Sequence, residues 1–126
     1  MAELRRASQH HAETAREQDL HHFVSQMDAA MNKMMDEMHA PRYTGNPDVD
    51  FLMMMIPHHR GAVEMARIVL AYGRDPLTRR LAEDIIASQT AEIAAMNGRL
   101  TILRAGEDPN PGGFPALNGT RGERAR

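Results

Sequence analysis

Asn46-Pro47-Asp48-Val49-Asp50-Phe51-Leu52-Met53-Met54-Met55-Ile56-Pro57-His58-His59 opens the middle third of the chain. Asn46 is a natural helix N-cap, Pro47 suits the first helical position, and Asp48 and Asp50 complement the positive end of the helix dipole. The helix so begun is expected to run to about Tyr72 and stop at Gly73. Inside it, Met53 to His59 puts three thioethers and two imidazoles within seven residues, with Pro57 between the two groups. Pro57 removes one backbone hydrogen bond and crowds the carbonyl of Met53, so a kink or break is expected there.

Before this helix, Leu20, Val24, Met27, Met31, Met34 and Met38 recur at helical spacing up to about His39. They are expected to form the buried seam of a first helix, flanked by Phe23 and Ala30, with Pro41 ending it. After it, Asp75 and Pro76 start a third helix. Its expected buried stripe is Leu77, Leu81, Ile85, Ser88 or Gln89, Ile93 or Glu92, Met96, Leu100 and Leu103, closed by Gly106. No strand pattern appears. The fold class is therefore all-α, a bundle of three long helices over residues 20–106. Residues 1–19 are polar and are read as a solvated helical extension or a disordered arm, and the Pro/Gly-rich stretch 107–126 as a tail with Phe114 as an anchor. The N-terminal arm, or pairing of two copies as a homodimer, would complete a fourth helix.

Eleven Met and no Cys stand among 126 residues, with no Trp and only 4% aromatic residues. Zero Cys removes disulfides, thiolate catalysis and Cys-type zinc or iron–sulfur sites. A net charge of −2 provides no field for nucleic acid or an anionic membrane. No run of 18 apolar residues spans a membrane. The segment Met1–Gln18 has no apolar core of the kind a signal peptide carries.

Thioethers are soft, neutral ligands that favour Cu(I) or Ag(I) over Mg²⁺ or Ca²⁺, and imidazole adds a donor that also accepts Cu(II) and Zn²⁺. On a helix, Met54 lies four residues from His58, and Met55 four from His59. Adjacent His58 and His59 diverge by about 100° on an ideal helix, so they suit two sites unless Pro57 changes the angle. On the first helix, Met34/Met38 and Met35/His39 are further pairs of this kind. The candidate ligands are His58 and His59 first, then Met54, Met55, Met65, Met96, Met34 and Met38. His10, His11, His21 and His22 would capture metal only weakly, and their plainer reading is a polar helix surface. A Met stripe is also good core filler. Four consecutive Met at positions 27 to 38 of the seam, with no Leu or Ile among them, is unlike an ordinary core, because all-Met packing specifies a structure poorly. Gln89 and Glu92 read as a structural pair that hydrogen-bonds between helices.

The run Asp48–Ala66 resembles the signature of the domain of unknown function number 305 family. Asp48, Phe51, Met55, Ile56, Pro57, His58, His59, Gly61, Ala62, Val63, Met65 and Ala66 occupy its places. Gln89, Glu92, Ile93 and Met96 match the later helix, so the resemblance covers about residues 48–100, with a weaker echo in the first helix. Arg60 and Arg99 depart from the family's usual Gln and Trp. The resemblance implies a ferritin-like helical bundle, export from the cytoplasm, and binding of copper or silver for sequestration, tolerance or transfer. No nucleophile or acid–base set is visible, so no enzyme activity is expected. The rival readings are a helical interaction module with a Met-rich face and no metal, and, behind it, a metal-dependent oxidase. The Glu-x-x-His pairs of di-iron bundles are absent.

Overall fold

The computed structural model describes residues 1–106; the expected tail lies outside them. The chain forms three α-helices and, among the described residues, no strand: α1 Ala2–His39, α2 Pro47–Tyr72 and α3 Pro76–Arg104. The caps follow the sequence. Asn46 accepts from the amides of Asp48 (3.0 Å) and Val49 (3.3 Å), and Asp75 accepts from the Thr78 amide (2.9 Å) and hydroxyl (2.7 Å). Each satisfies donors that a helix start leaves free. Across the first turn, the Asp50 carboxylate accepts from the Thr44 amide (2.8 Å) and hydroxyl (2.7 Å) and from the Gly45 amide (3.2 Å). Gly45 takes φ +88°, a conformation that L side chains avoid. At the other end, Arg79 donates to the carbonyls of Leu70 (2.6 Å) and Gly73 (2.9 Å), closing the C-terminus of α2.

Residues 2–19 take the helical alternative expected for them: they are helix continuous with the seam-bearing part of α1, and every residue from 1 to 22 is exposed. Of the kink or break expected at Pro57, the break does not occur: α2 runs through it with the proline ring buried.

α2 is central. It packs against α1 on one side and α3 on the other, and α1 and α3 scarcely meet. The contacts Met34 on Gly61 and Phe23 on Tyr72 make α1 antiparallel to α2. The His59–Glu92 contact and the Arg79 cap do the same for α3. Gly61 faces α1 and Leu52 faces α3. Nine residues separate them, which is about 180° of rotation at about 100° per residue. The molecule is thus a three-helix layer. Its core lies mainly between α2 and α3: Val49, Leu52, Ile56 and Leu100 are buried together, with Met53, Met96 and Leu103 packed against them.

The buried seams are rotated from those expected. On α1, Phe23, Met27, Ala30 and Met34 turn to α2, and Ala30 is the one buried residue of the helix. Leu20, Val24 and Met31 lie 62%, 47% and 40% exposed instead of buried. On α3, Leu77 (75%) and Leu81 (62%) are exposed, whereas Ala82 and Leu100 are buried. The physical reason is backbone approach. Small residues, Ala30 on α1, Gly61 on α2 and Ala82 on α3, lie at the seams, and burying them brings the helices closer than a seam of long side chains allows.

Candidate soft-metal centre

The end of α1 and the start of α2 are joined by the short connection 40–46, held by Asp50. This hairpin sets Met38 and His39 opposite Met53 and Met54. The four side chains line one cavity of about 80 Å³ together with Pro41, Arg42, Tyr43 and Asp50. Three methionines and one histidine are thus among its lining residues. The His39 ring is already oriented: its Nδ1 lies 2.7 Å from the carbonyl of Met35. That carbonyl accepts, so Nδ1 carries a proton, and in the neutral ring Nε2 is then the atom with the lone pair. A metal-binding histidine is commonly held in this way by its other ring nitrogen. The Arg42 cation opposes a bound cation at the rim, and the Asp50 carboxylate opposes Arg42. Three hydrogen bonds from Thr44 and Gly45 keep that carboxyl below its ordinary range, so Asp50 is charged near neutrality.

His58 and His59 do not line this cavity. Their rings stand 5.9 Å apart and tilted by 58°. The side chain of His59 is 13% exposed and spans two helices. Its Nδ1 lies 3.0 Å from the carbonyl of Met55 and its Nε2 2.5 Å from Glu92 Oε2. Both neighbours are acceptors, so only the doubly protonated ring satisfies them together. Ligation through Nε2 requires His59 to leave Glu92. His58 is exposed on the surface of α2.

The other expected ligands are dispersed. Met34 lies over Gly61, Met96 packs on the α2–α3 core, and Met55 and Met65 are half-buried on α2. His10, His11, His21 and His22 are all exposed on α1. Of the eight residues expected as ligands, the cavity collects Met38 and Met54. His39 and Met53, not among them, complete it. The signal that reaches these two is the turn: a short antiparallel connection puts the last residues of one helix beside the first of the next. Gln89 and Glu92 behave differently from each other. Glu92 bridges to His59, whereas Gln89 Oε1 is buried without a hydrogen-bond partner. Among the described residues, no three His, Asp or Glu side chains converge. The donor set gathered here is therefore mainly sulfur.

The family described as Domain of unknown function (DUF305) matches residues 1–100. The chain belongs to that family. The match reaches back across all of α1, beyond the motif-bearing stretch 48–100. A 53-residue stretch is also 43% identical to an uncharacterized protein of Acanthamoeba polyphaga mimivirus. That stretch is 42% of this chain and 35% of the viral protein, so the chain matches about a third of its relative's length. Among the described residues, no helix is long and apolar enough to cross a membrane.

Proposed function

We propose that this DUF305 protein binds a soft monovalent cation as cargo, Cu(I) with Ag(I) as its mimic, for sequestration, tolerance or transfer. The observation that carries the reading is the cavity lined by Met38, His39, Met53 and Met54. Three neutral sulfurs and one neutral nitrogen match the low charge and soft character of Cu(I), and they offer little to Mg²⁺ or Ca²⁺. No Met in the described chain is fully buried, although Met53 and Met96 pack against the α2–α3 core. His58 and His59, with Met55 and Met65, form a second, weaker donor strip along α2, with His59 exchanging Glu92 for metal. The protein is a binder and carrier without a reaction of its own. Thioether ligands resist the disulfide chemistry of oxidising compartments, which suits work outside the cytoplasm. In this reading the three helices belong to a ferritin-like bundle whose fourth side is closed by another element.

The test is titration of the full chain with Cu(I) against a chromophoric chelator, and with Ag(I) by calorimetry. A submicromolar site of one ion per chain is expected. Met38→Leu with Met54→Leu keeps the volume of both side chains, so the fold is retained. That double variant is expected to lose at least a hundredfold in affinity. A wild-type chain with no submicromolar site would falsify the proposal.

A further inference from the structure

The three-helix layer has two open faces of opposite character. On α1, Leu20, Val24 and Met31 form a stripe about 70° round from the seam that meets α2. On α2, Phe51, 54% exposed, lies a similar angle from Gly61. On α3, Leu77, Leu81 and Ile85 lie to one side of the Ala82–Leu100 seam. Because both outer helices run antiparallel to α2 on its opposite sides, their right-handed screw turns all these stripes to one side of the layer. The other side carries Lys33, Glu37, Arg60 and Glu64, which line the opposite α1–α2 groove.

The large hydrophobic residues of this face together present roughly 700 Å², gathered mainly towards its two ends, whereas soluble monomers rarely show apolar patches beyond a few hundred Å². A stable pair needs about 800 Å² from each partner. Helices bury their apolar sides against another layer, and no such layer stands among the described residues. A second copy supplies it without any further requirement, because a two-fold contact sets the same patch against itself. The layout suits that operation. Leu20, Val24, Leu77 and Leu81 gather at the end of the layer where α2 finishes; Phe51 and Ile102 lie at the opposite end, and His58 near the middle. A two-fold axis lying between the two layers, in their plane and across the helices, lays each apolar end on the other and brings the polar middle onto itself. The face carries no strong charge of one sign that would select a highly charged partner instead. Residues 2–22 of α1 are helical although each is exposed. Most helical stability in proteins comes from packing of an apolar face, which a covering partner supplies.

We infer that the face bearing Val24, Phe51 and Leu81 is covered by a second copy of this chain, joining two three-helix layers into a homodimer. The inference does not rest on metal binding, and its test is run with a chelator present. The mass of the full chain is measured by light scattering at about 50 μM, above the Kd of a standard-sized interface. The expected mass is about 28 kDa, twice the 14.1 kDa of one chain. Val24→Glu with Leu81→Glu changes two exposed positions and is expected to halve the mass while leaving far-UV helicity unchanged. Thr90→Glu with Thr101→Glu, on exposed positions away from that face, is expected to leave the dimer intact. Should the first pair lose helicity, Ser88→Glu, exposed and polar already, repeats the test on the same face with the same expected halving. A wild-type chain of 14 kDa, or a dimer untouched by these face variants, overturns the inference. So does a monomer that pairs only after residues 107–126 are removed, because the chain's own tail would then be the occupant.

Discussion

The side chain of Met34 lies directly across Gly61. A Cβ placed on Gly61 would stand 2.5 Å from Met34 Sδ and 2.8 Å from Met34 Cβ. The sulfur could swing aside, but the Met34 Cβ is fixed to the α1 backbone, so the two helices themselves must separate. Gly61→Ala is therefore expected to cost about 1–3 kcal/mol, in the range of an overpacked interior. Urea unfolding followed by circular dichroism measures it. Met34→Gly, which removes that Cβ, should cost less in the Gly61→Ala chain than in the wild type, a coupling that a purely local effect of alanine on α2 would not produce. Alanine is the better helix former, so any loss on Gly61→Ala is a packing loss.

The rotation of the α1 seam has a measurable signature. Ala30 is 3% exposed and Met31 is 40% exposed. Ala30→Leu is expected to destabilise by about 1–3 kcal/mol through overpacking, whereas Met31→Leu should change stability by less than about 0.5 kcal/mol, as at an ordinary surface position. Equal effects at both positions would restore the seam that spacing alone suggests. On α3, Leu100→Ala is expected to cost about 2–4 kcal/mol and Leu77→Ala far less.

These contrasts show what was readable in the sequence. Asn46-Pro47 and Asp75-Pro76 carry their own start signals, so both helix starts and the all-helical class followed directly. The faces did not. α1 has two apolar stripes side by side, one through Met27 and Met34, the other through Leu20, Val24 and Met31, and periodicity weights both equally. The choice between them is made by Ala30 and Gly61, small residues that hydrophobic patterning ranks low. The cavity shows the same limit. Helix spacing pairs Met54 with His58, within one helix, whereas the cavity joins Met54 to Met38 and His39 across a turn. Only the connection between helices carries that information.

Acid should weaken the turn that shapes the cavity. The Asp50 carboxyl is held below its ordinary value of 3.8 by the Thr44 amide, then by the Thr44 hydroxyl and the Gly45 amide. A depressed folded-state value contributes stability that is fully present above about pH 4. That contribution is lost as the pH falls through the folded value. Asp50→Asn should thus be less stable than wild type at pH 7. The gap should narrow as both are titrated below pH 3.8, the ordinary value. A gap that stays constant down to pH 2 would show that charge on Asp50 contributes nothing. Asp75, whose carboxyl is lowered by the Thr78 hydroxyl and amide, should behave alike at the start of α3.

The two histidine environments make opposite predictions for metal. His39 lines the cavity shared with Met38, Met53 and Met54, with Nδ1 held by the Met35 carbonyl and, among the described residues, no second partner on the ring that it must leave. His59 has Nε2 against Glu92 and Nδ1 against Met55. His39→Ala removes a ready donor and is expected to weaken Ag(I) binding by at least tenfold, with no need for any group to move. His58→Ala with His59→Ala should weaken it by less than tenfold at the tight site, and should remove only a weaker second binding event. Glu92→Gln separates these roles. It frees His59 from a carboxylate that is 59% exposed, so its cost to stability is small, below about 1 kcal/mol. Its effect on the weaker event should be a gain, because His59 no longer exchanges a partner to bind. Loss of the tight site on changing His59, with His39→Ala silent, would place the metal on α2 and α3 and leave the α1–α2 cavity as packing.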